Sequence, residues 1–244
     1  MCLVLIAVTP DPEHRLVLAA NRDEAHERPT AQAQRWGTEE GIIAGKDLRA
    51  GGTWLGVTET GRVAAVTNFR EVPPASGSLS RGVLVTDFLR SEASARSYGE
   101  ALDKRSAAYG GYNVVLHDGA QTWCYSNRGP AVLLEAGFHG LSNHLINTDW
   151  PKVTRSVEAF RSAYASPEQA LAVLADRTVA PDEALPATGL PEALEREVSA
   201  AFIVNPTYGT RCSTWAAIGS NGKVTFHERS FDATGAMTGE AVFT

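Results

Sequence analysis

Apolar residues along the first 70 positions fall in short runs broken by turn chemistry. Residues 2–8 and 15–20 are rich in Val, Leu and Ile and are separated by Pro10-Asp11-Pro12, which predicts two strands joined by a turn. Residues 41–45 form a short third run, while 53–58 and 62–69 flank Glu59-Thr60-Gly61, predicting a second hairpin beside a lone strand. From Ser80 the period changes: Val83, Leu84, Phe88 and Leu89 recur at helical spacing, and a second helical stretch covers 93–109. Strands return at 112–117 and 121–125 around Asp118-Gly119, a strong hairpin signal. Residues 150–200 read as helical, with Ser166 as an N-cap and Pro167 at the first helical position. After Asn205-Pro206, strands at 211–219 and 223–229 surround Asn221-Gly222, and the tail is strand-like.

Strands and helices in blocks, without regular βαβ alternation, predict an α+β fold of antiparallel sheets rather than a doubly wound one. No stretch resembles a linker or a repeat, so 1–244 reads as one domain. With 43% apolar and 20% charged residues in 244, the chain can bury a sizeable core, which excludes disorder. Lys and Arg number 22 against 28 Asp and Glu, a net charge of −6 that offers no footprint to nucleic acid or an anionic membrane. The run 2–8 has no basic residue before it and meets Thr9-Pro10-Asp11-Pro12 where a signal-peptidase site would lie, so it fails as a secretory signal. No run approaches the length of a membrane span. A soluble cytoplasmic globule is expected, with its oligomeric state open.

Candidate chemistry begins with the first hairpin. If 2–8 pairs antiparallel with 15–23 around a turn near residue 12, Cys2 lies beside Arg22 and Asp23. A guanidinium next to a thiol lowers the thiol pKa. The same residues also read as a small apolar side chain at a strand edge beside an ordinary ion pair. Cys2 directly follows Met1 and is small enough for methionine removal, which would leave thiol and α-amine on one residue. That amine, with an ordinary pKa near 8, could act as the thiol's general base; a chain that keeps Met1 has only an amide there. Cys2, Cys124 and Cys212 form neither a disulfide framework nor a zinc ligand set, and the six histidines show no metal-binding spacing. His26 and His144 are the candidate pocket histidines. Gly51-Gly52 falls opposite Asn68 and reads as a turn needing positive φ, and Trp54 reads as core.

The residues also carry a resemblance. Met1-Cys2 before an apolar strand, Ala20-Asn21-Arg22-Asp23-Glu24, Arg28-Pro29-Thr30, Ala44-Gly45-Lys46-Asp47, Ala50-Gly51-Gly52-Thr53-Trp54-Leu55-Gly56, Thr67-Asn68-Phe69-Arg70, Gly140-Leu141-Ser142-Asn143 and Tyr208-Gly209-Thr210-Arg211 resemble the NRDE family, also known as the transport-and-Golgi-organisation family. The match runs in order along almost the whole chain. It implies the fold of the N-terminal nucleophile hydrolases, a four-layer αββα sandwich, with the penicillin V acylase and bile-salt hydrolase branch as the nearest chemistry.

That branch implies Cys2 as nucleophile with Arg22 and Asp23 beside it. It also implies Asn143 as an oxyanion donor, Asn68 or its backbone as a second, and Arg211 as a late guanidinium at the pocket. One departure stands out. The acylases place an Arg-Asn pair before their Asp with one residue between, whereas Asn21-Arg22-Asp23 reverses the pair and closes the gap, which sends neighbouring side chains to different faces of a strand. The first reading is therefore an amide or thioester hydrolase that needs no cofactor. The alternative is a non-enzymatic carrier of haem or of acyl-coenzyme A and other lipids, since the family has been linked to haem trafficking, lipid metabolism and Golgi organisation. Haem would then be a transported ligand. An interaction protein with a vestigial pocket is the third.

Overall fold

In the computed structural model, which describes residues 2–37, 41–75 and 77–244, the apolar runs become strands buried on both faces. Strands β1 (Cys2–Asp11), β2 (His14–Ala25) and β11 (Tyr208–Gly219) lie side by side in a sheet of order β10-β1-β2-β11-β12-β13, with β10 at Gly137–Leu141, β12 at Val224–Phe231 and β13 at Met237–Phe243. The second sheet has the order β3-β4-β5-β6-β7-β8-β9. Its strands are β3 (Thr30–Trp36), β4 (Ile42–Asp47), β5 (Leu55–Thr58), β6 (Val63–Asn68), β7 (Tyr112–His117), β8 (Thr122–Ser126) and β9 (Gly129–Leu133). Every pairing described is antiparallel.

Strand alternation sorts the side chains into three cores. Val4, Ile6, Leu16, Leu18, Ala216 and Ile218 meet Leu55, Val57, Val63 and Ala65 between the sheets. Their neighbours Leu3, Leu5, Val17, Ala19 and Trp215 face outward against α3 (Pro151–Ala163) and α4 (Pro167–Leu174). On the far side, Ala64, Val66, Val114 and Leu116 pack under α1 (Gly82–Arg90) and α2 (Ala95–Leu102). Because both faces of each sheet are covered, the central strands read as continuous apolar runs. The result is the αββα sandwich expected from the sequence.

The first hairpin has the anticipated register: Cys2 pairs with Arg22, Val4 with Ala20 and Val8 with Leu16. The tip differs. β1 continues through Asp11, and a register shift after Val8, with Thr9 at φ 43°, absorbs one residue before Asp11 pairs with His14. Strands β3, β9 and β10 were not foreseen. All three are sheet edges with mixed or glycine-containing sequences, and most of their residues are only partly buried, so no apolar run marks them. The helical stretch 93–109 divides into α2 and a 3-10 segment at Asp103–Ala108. The stretch 150–200 divides into α3, α4, a 3-10 turn at Asp182–Ala184 and α5 (Glu192–Glu197), with Pro181, Pro186 and Pro191 interrupting it. Ser166 caps α4 as expected, accepting from the Gln169 N–H.

His117, 3% exposed in β7, has its Nδ1 within 2.9 Å of Thr122 Oγ1. Burial pushes its imidazole down to about 4 from an ordinary 6.5. The unfolded chain therefore binds a proton between those values that the folded chain refuses, so this contribution to stability is complete above pH 6.5 and is lost as pH falls towards 4. Urea unfolding should show about 2–3 kcal/mol of it disappearing between pH 7 and pH 4.5, and His117→Gln should flatten that slope; an unchanged slope would refute the assignment.

Candidate active site

At one end of the sandwich the apolar core stops and polar groups join the two sheets. Thr67 Oγ1, at the end of β6, donates to the Ser142 carbonyl at 2.7 Å, and Ser142 Oγ donates to the Cys2 carbonyl at 2.9 Å. The Asn143 amide donates to the Asn68 carbonyl at 2.9 Å, while the Asn143 carbonyl accepts from the Arg70 N–H at 2.7 Å. Asn113 completes the seam, donating to Thr67 Oγ1 at 3.1 Å and to the His144 carbonyl at 3.0 Å. β10 pairs Val4 with Leu141, and Ser142 and Asn143 follow directly beyond the last pair.

Beside this seam lies a cavity of about 390 Å³. Cys2, Arg22, Asp23 and Asn68 line it, so four of the eight residues expected at the pocket are on one concave surface. The opposite wall is the segment leading into α1, with Ser80, Arg81 and Gly82. Gly51, at φ 79°, closes the turn after β4, and Gly52 then approaches α1 so closely that a Cβ on it would sit 2.6 Å from the Gly82 carbonyl carbon. That contact fixes Arg81 against the cavity.

Arg22 and Asp23 divide as strand alternation requires. Arg22 shares the inter-sheet face with Ala20 and is flanked by its partners Cys2 and Cys212. Its guanidinium lies over the Trp54 ring, 4.2 Å from the centroid, and donates to Thr30 Oγ1 at 3.1 Å. Trp54 is thus a cavity wall as well as part of the core. Asp23 points towards the helical layer: Thr210 Oγ1 donates to its Oδ1 at 2.7 Å. Asn21, on the same face, donates to the carbonyls of Leu174 and Ala201, both at 2.8 Å. Burial raises the Asp23 carboxyl, and Lys152 and Thr210 pull it back. Lys152, 2% exposed and donating to the Val198 carbonyl at 2.9 Å, is itself pushed down to about 8, again by burial.

The thiol departs from the sequence expectation. Burial raises the Cys2 pKa above its ordinary value, and Arg22, engaged with Trp54 and Thr30, pulls it down by less than burial pushes it up. Cys2 is consequently a neutral thiol at neutral pH. Cys124, pushed up to about 12, and Cys212 are raised by burial as well.

Other expected residues sit elsewhere. Asn143 is fully buried behind Asn68 and outside the cavity lining. Arg211 is the extra residue of a register shift between Thr210 and Cys212; its Nη1 donates to the carbonyls of Ala25, His26 and Arg28 at 3.0–3.2 Å and holds the loop after β2. It borders a second cavity of about 240 Å³ behind Trp54, with Cys212 and Glu228. His26 bonds the Asn205 carbonyl at 3.0 Å, and His144 bonds Thr148 Oγ1 at 2.9 Å between Phe69 and Trp150, so neither histidine reaches the cavity. The sequence reading missed Arg81 and Lys152, because an arginine ahead of a helix and a lysine in a helical first turn both look solvated.

A four-layer αββα sandwich with a cysteine opening its first strand at a polar cavity defines the N-terminal nucleophile hydrolase-like fold. Consistent with this, the structure is similar to the C2A mutant of conjugated bile acid hydrolase from Clostridium perfringens, with a TM-score of 0.51 and 10% identity over all of this chain and 92% of that one. The chain belongs to the Transport and Golgi organisation 2 family, whose profile matches residues 1–233. It is 35% identical to the Transport and Golgi organization protein 2 homolog of Bos taurus and 34% identical to that of Homo sapiens, in each case over 94% of this chain and 93% of the relative.

Exposure and burial together set the expected thiol reactivity. Iodoacetamide should alkylate Cys2 ahead of the buried Cys124 and Cys212, and its rate should keep climbing through pH 9 because the thiol titrates above its ordinary value. Equal labelling of all three cysteines, or a rate that levels off below pH 8, would contradict this description.

Proposed function

We propose that this protein hydrolyses a small amide or thioester by acyl transfer to Cys2. The observation that carries the reading is the convergence of Cys2, Arg22, Asp23 and Asn68 on one cavity, with Asn143 holding Asn68 from behind. Burial keeps the thiol protonated, so it needs a base, and removal of Met1 supplies one in the Cys2 α-amine. The thiol proton passes to that amine as Sγ bonds to the carbonyl carbon. The Asn68 side chain, at the cavity wall, serves the developing oxyanion, and Asn143 positions it. The C–N or C–S bond then breaks, the leaving group takes the proton, and water releases the acid and restores the thiol. Arg22 orients Cys2 from the neighbouring strand, and Arg211 supports the loop beyond.

A carrier reading uses the same cavity and is favoured where Met1 is retained, because a neutral thiol with only an amide beside it has no base. Haem suits these residues poorly: neither candidate histidine faces the cavity, and burial opposes thiolate formation at Cys2. An acyl compound fits the polar lining better. No helix among the described residues is long and apolar enough to cross a membrane.

Protein processed to Cys2, confirmed by mass, should hydrolyse activated amides or thioesters with a rate that rises near the amine pKa of about 8. Protein retaining Met1 should be inactive, Cys2→Ala should abolish turnover, and Cys2→Ser should keep a trace of it. Saturable acyl-coenzyme A binding by processed protein without turnover of any such compound would favour the carrier instead.

A further inference from the structure

The charges around the cavity do not cancel evenly. Arg28 is held by Asp47 at 2.7 Å and lies 3.8 Å from Glu24, while Arg22 is 4.0 Å from the same Glu24. Two carboxylates are therefore committed to two guanidiniums, and Asp23 has Lys152 behind it. Arg81 is different. Among the described residues no carboxylate lies within ion-pair distance of it, and the protein hydrogen bond it donates is from Nη1 to the Gly111 carbonyl at 3.1 Å. A guanidinium carries five N–H donors in a planar fork, so most of those of Arg81 remain for a ligand. Arg81 and Cys2 line the same cavity, so a group held by this guanidinium shares that space with the sulfur.

We propose that Arg81 receives an oxyanionic group, a carboxylate or a phosphate, carried by the compound that Cys2 attacks, so that the substrates are small acidic acyl amides or thioesters. This deepens the hydrolase reading and rests on it for the role of Cys2. A guanidinium half-buried in a cavity interacts with an anion more strongly than one in open water, and its planar fork matches both groups in bidentate fashion. The close backbone approach of Gly52 to Gly82 packs the residue after Arg81 against the turn after β4, so the chain carries Arg81 to the cavity without a ligand.

The test compares alkylation of Cys2 by iodoacetate and by iodoacetamide, two reagents that differ in charge and displace iodide in the same way. Their rate ratio is independent of how much thiolate is present. The ratio should exceed that of the urea-unfolded chain by about five-fold, fall back towards it in Arg81→Gln and recover in part in Arg81→Lys, with circular dichroism confirming that each variant is folded. Succinate and inorganic phosphate, added separately, should slow iodoacetate in the wild type but not in Arg81→Gln, and whichever competes at the lower concentration identifies the preferred anion. A ratio equal to that of the unfolded chain, or unchanged in Arg81→Gln, overturns the proposal. If Cys2 reacts with neither reagent, the nucleophile reading fails on its own account. Calorimetric titration with the same two anions then decides the subsite: binding lost in Arg81→Gln upholds it, and absence of binding overturns it.

Discussion

The seam of hydrogen bonds joining the sheets at one end of the sandwich determines where everything else can be. Thr67 reaches the Ser142 carbonyl, Asn143 reaches the Asn68 carbonyl, and Asn113 ties the Thr67 hydroxyl to the His144 carbonyl. Each bond satisfies a polar group where an orphan would cost about 1–3 kcal/mol. The apolar core can therefore end without collapsing, and the sheets stay apart far enough to leave a cavity beside Cys2. A further bond, from Ser142 Oγ to the Cys2 carbonyl, fixes the segment after β10 against the start of β1.

Within that frame, burial and charge compete for the sulfur, and burial wins. Arg22 is adjacent to Cys2 in the ladder, but its guanidinium is spent on Trp54 and Thr30. The arrangement suits a nucleophile activated only when a base removes its proton, rather than a standing thiolate. It also makes the chemical state of the Cys2 nitrogen decisive, since a free amine can take up a proton near neutral pH and a peptide amide cannot. Asp23 and Lys152 form a second buried layer of charge on the helical side of the same sheet, where each offsets part of the other's desolvation.

How much of this was legible in the chain follows from how local each feature is. The pairing of Cys2 with Arg22 could be computed because a hairpin links two strands through one short turn, and the bulge at Thr9 lies beyond the pairs that mattered. The opposite facing of Arg22 and Asp23 followed from strand alternation alone. Asn143 lies far along the chain from Asn68, and nothing local shows that its amide would bond a backbone carbonyl. Arg211 was displaced by a register shift that no residue type announces. His26 and His144 looked close to the motifs in sequence, but both turn to carbonyl or hydroxyl partners outside the cavity. Arg81 acquires meaning only because Gly52 and Gly82 bring α1 against the turn after β4.

The central claim is that Cys2 becomes covalently acylated. Intact-mass spectrometry of processed protein, mixed with an activated acyl thioester bearing a carboxylate and quenched in acid within the first turnover, tests it most directly. The account predicts a mass gain equal to one acyl group, located on the peptide that begins at Cys2 and absent from Cys2→Ala. Saturable binding of the same compound with no mass gain at any quench time would contradict it.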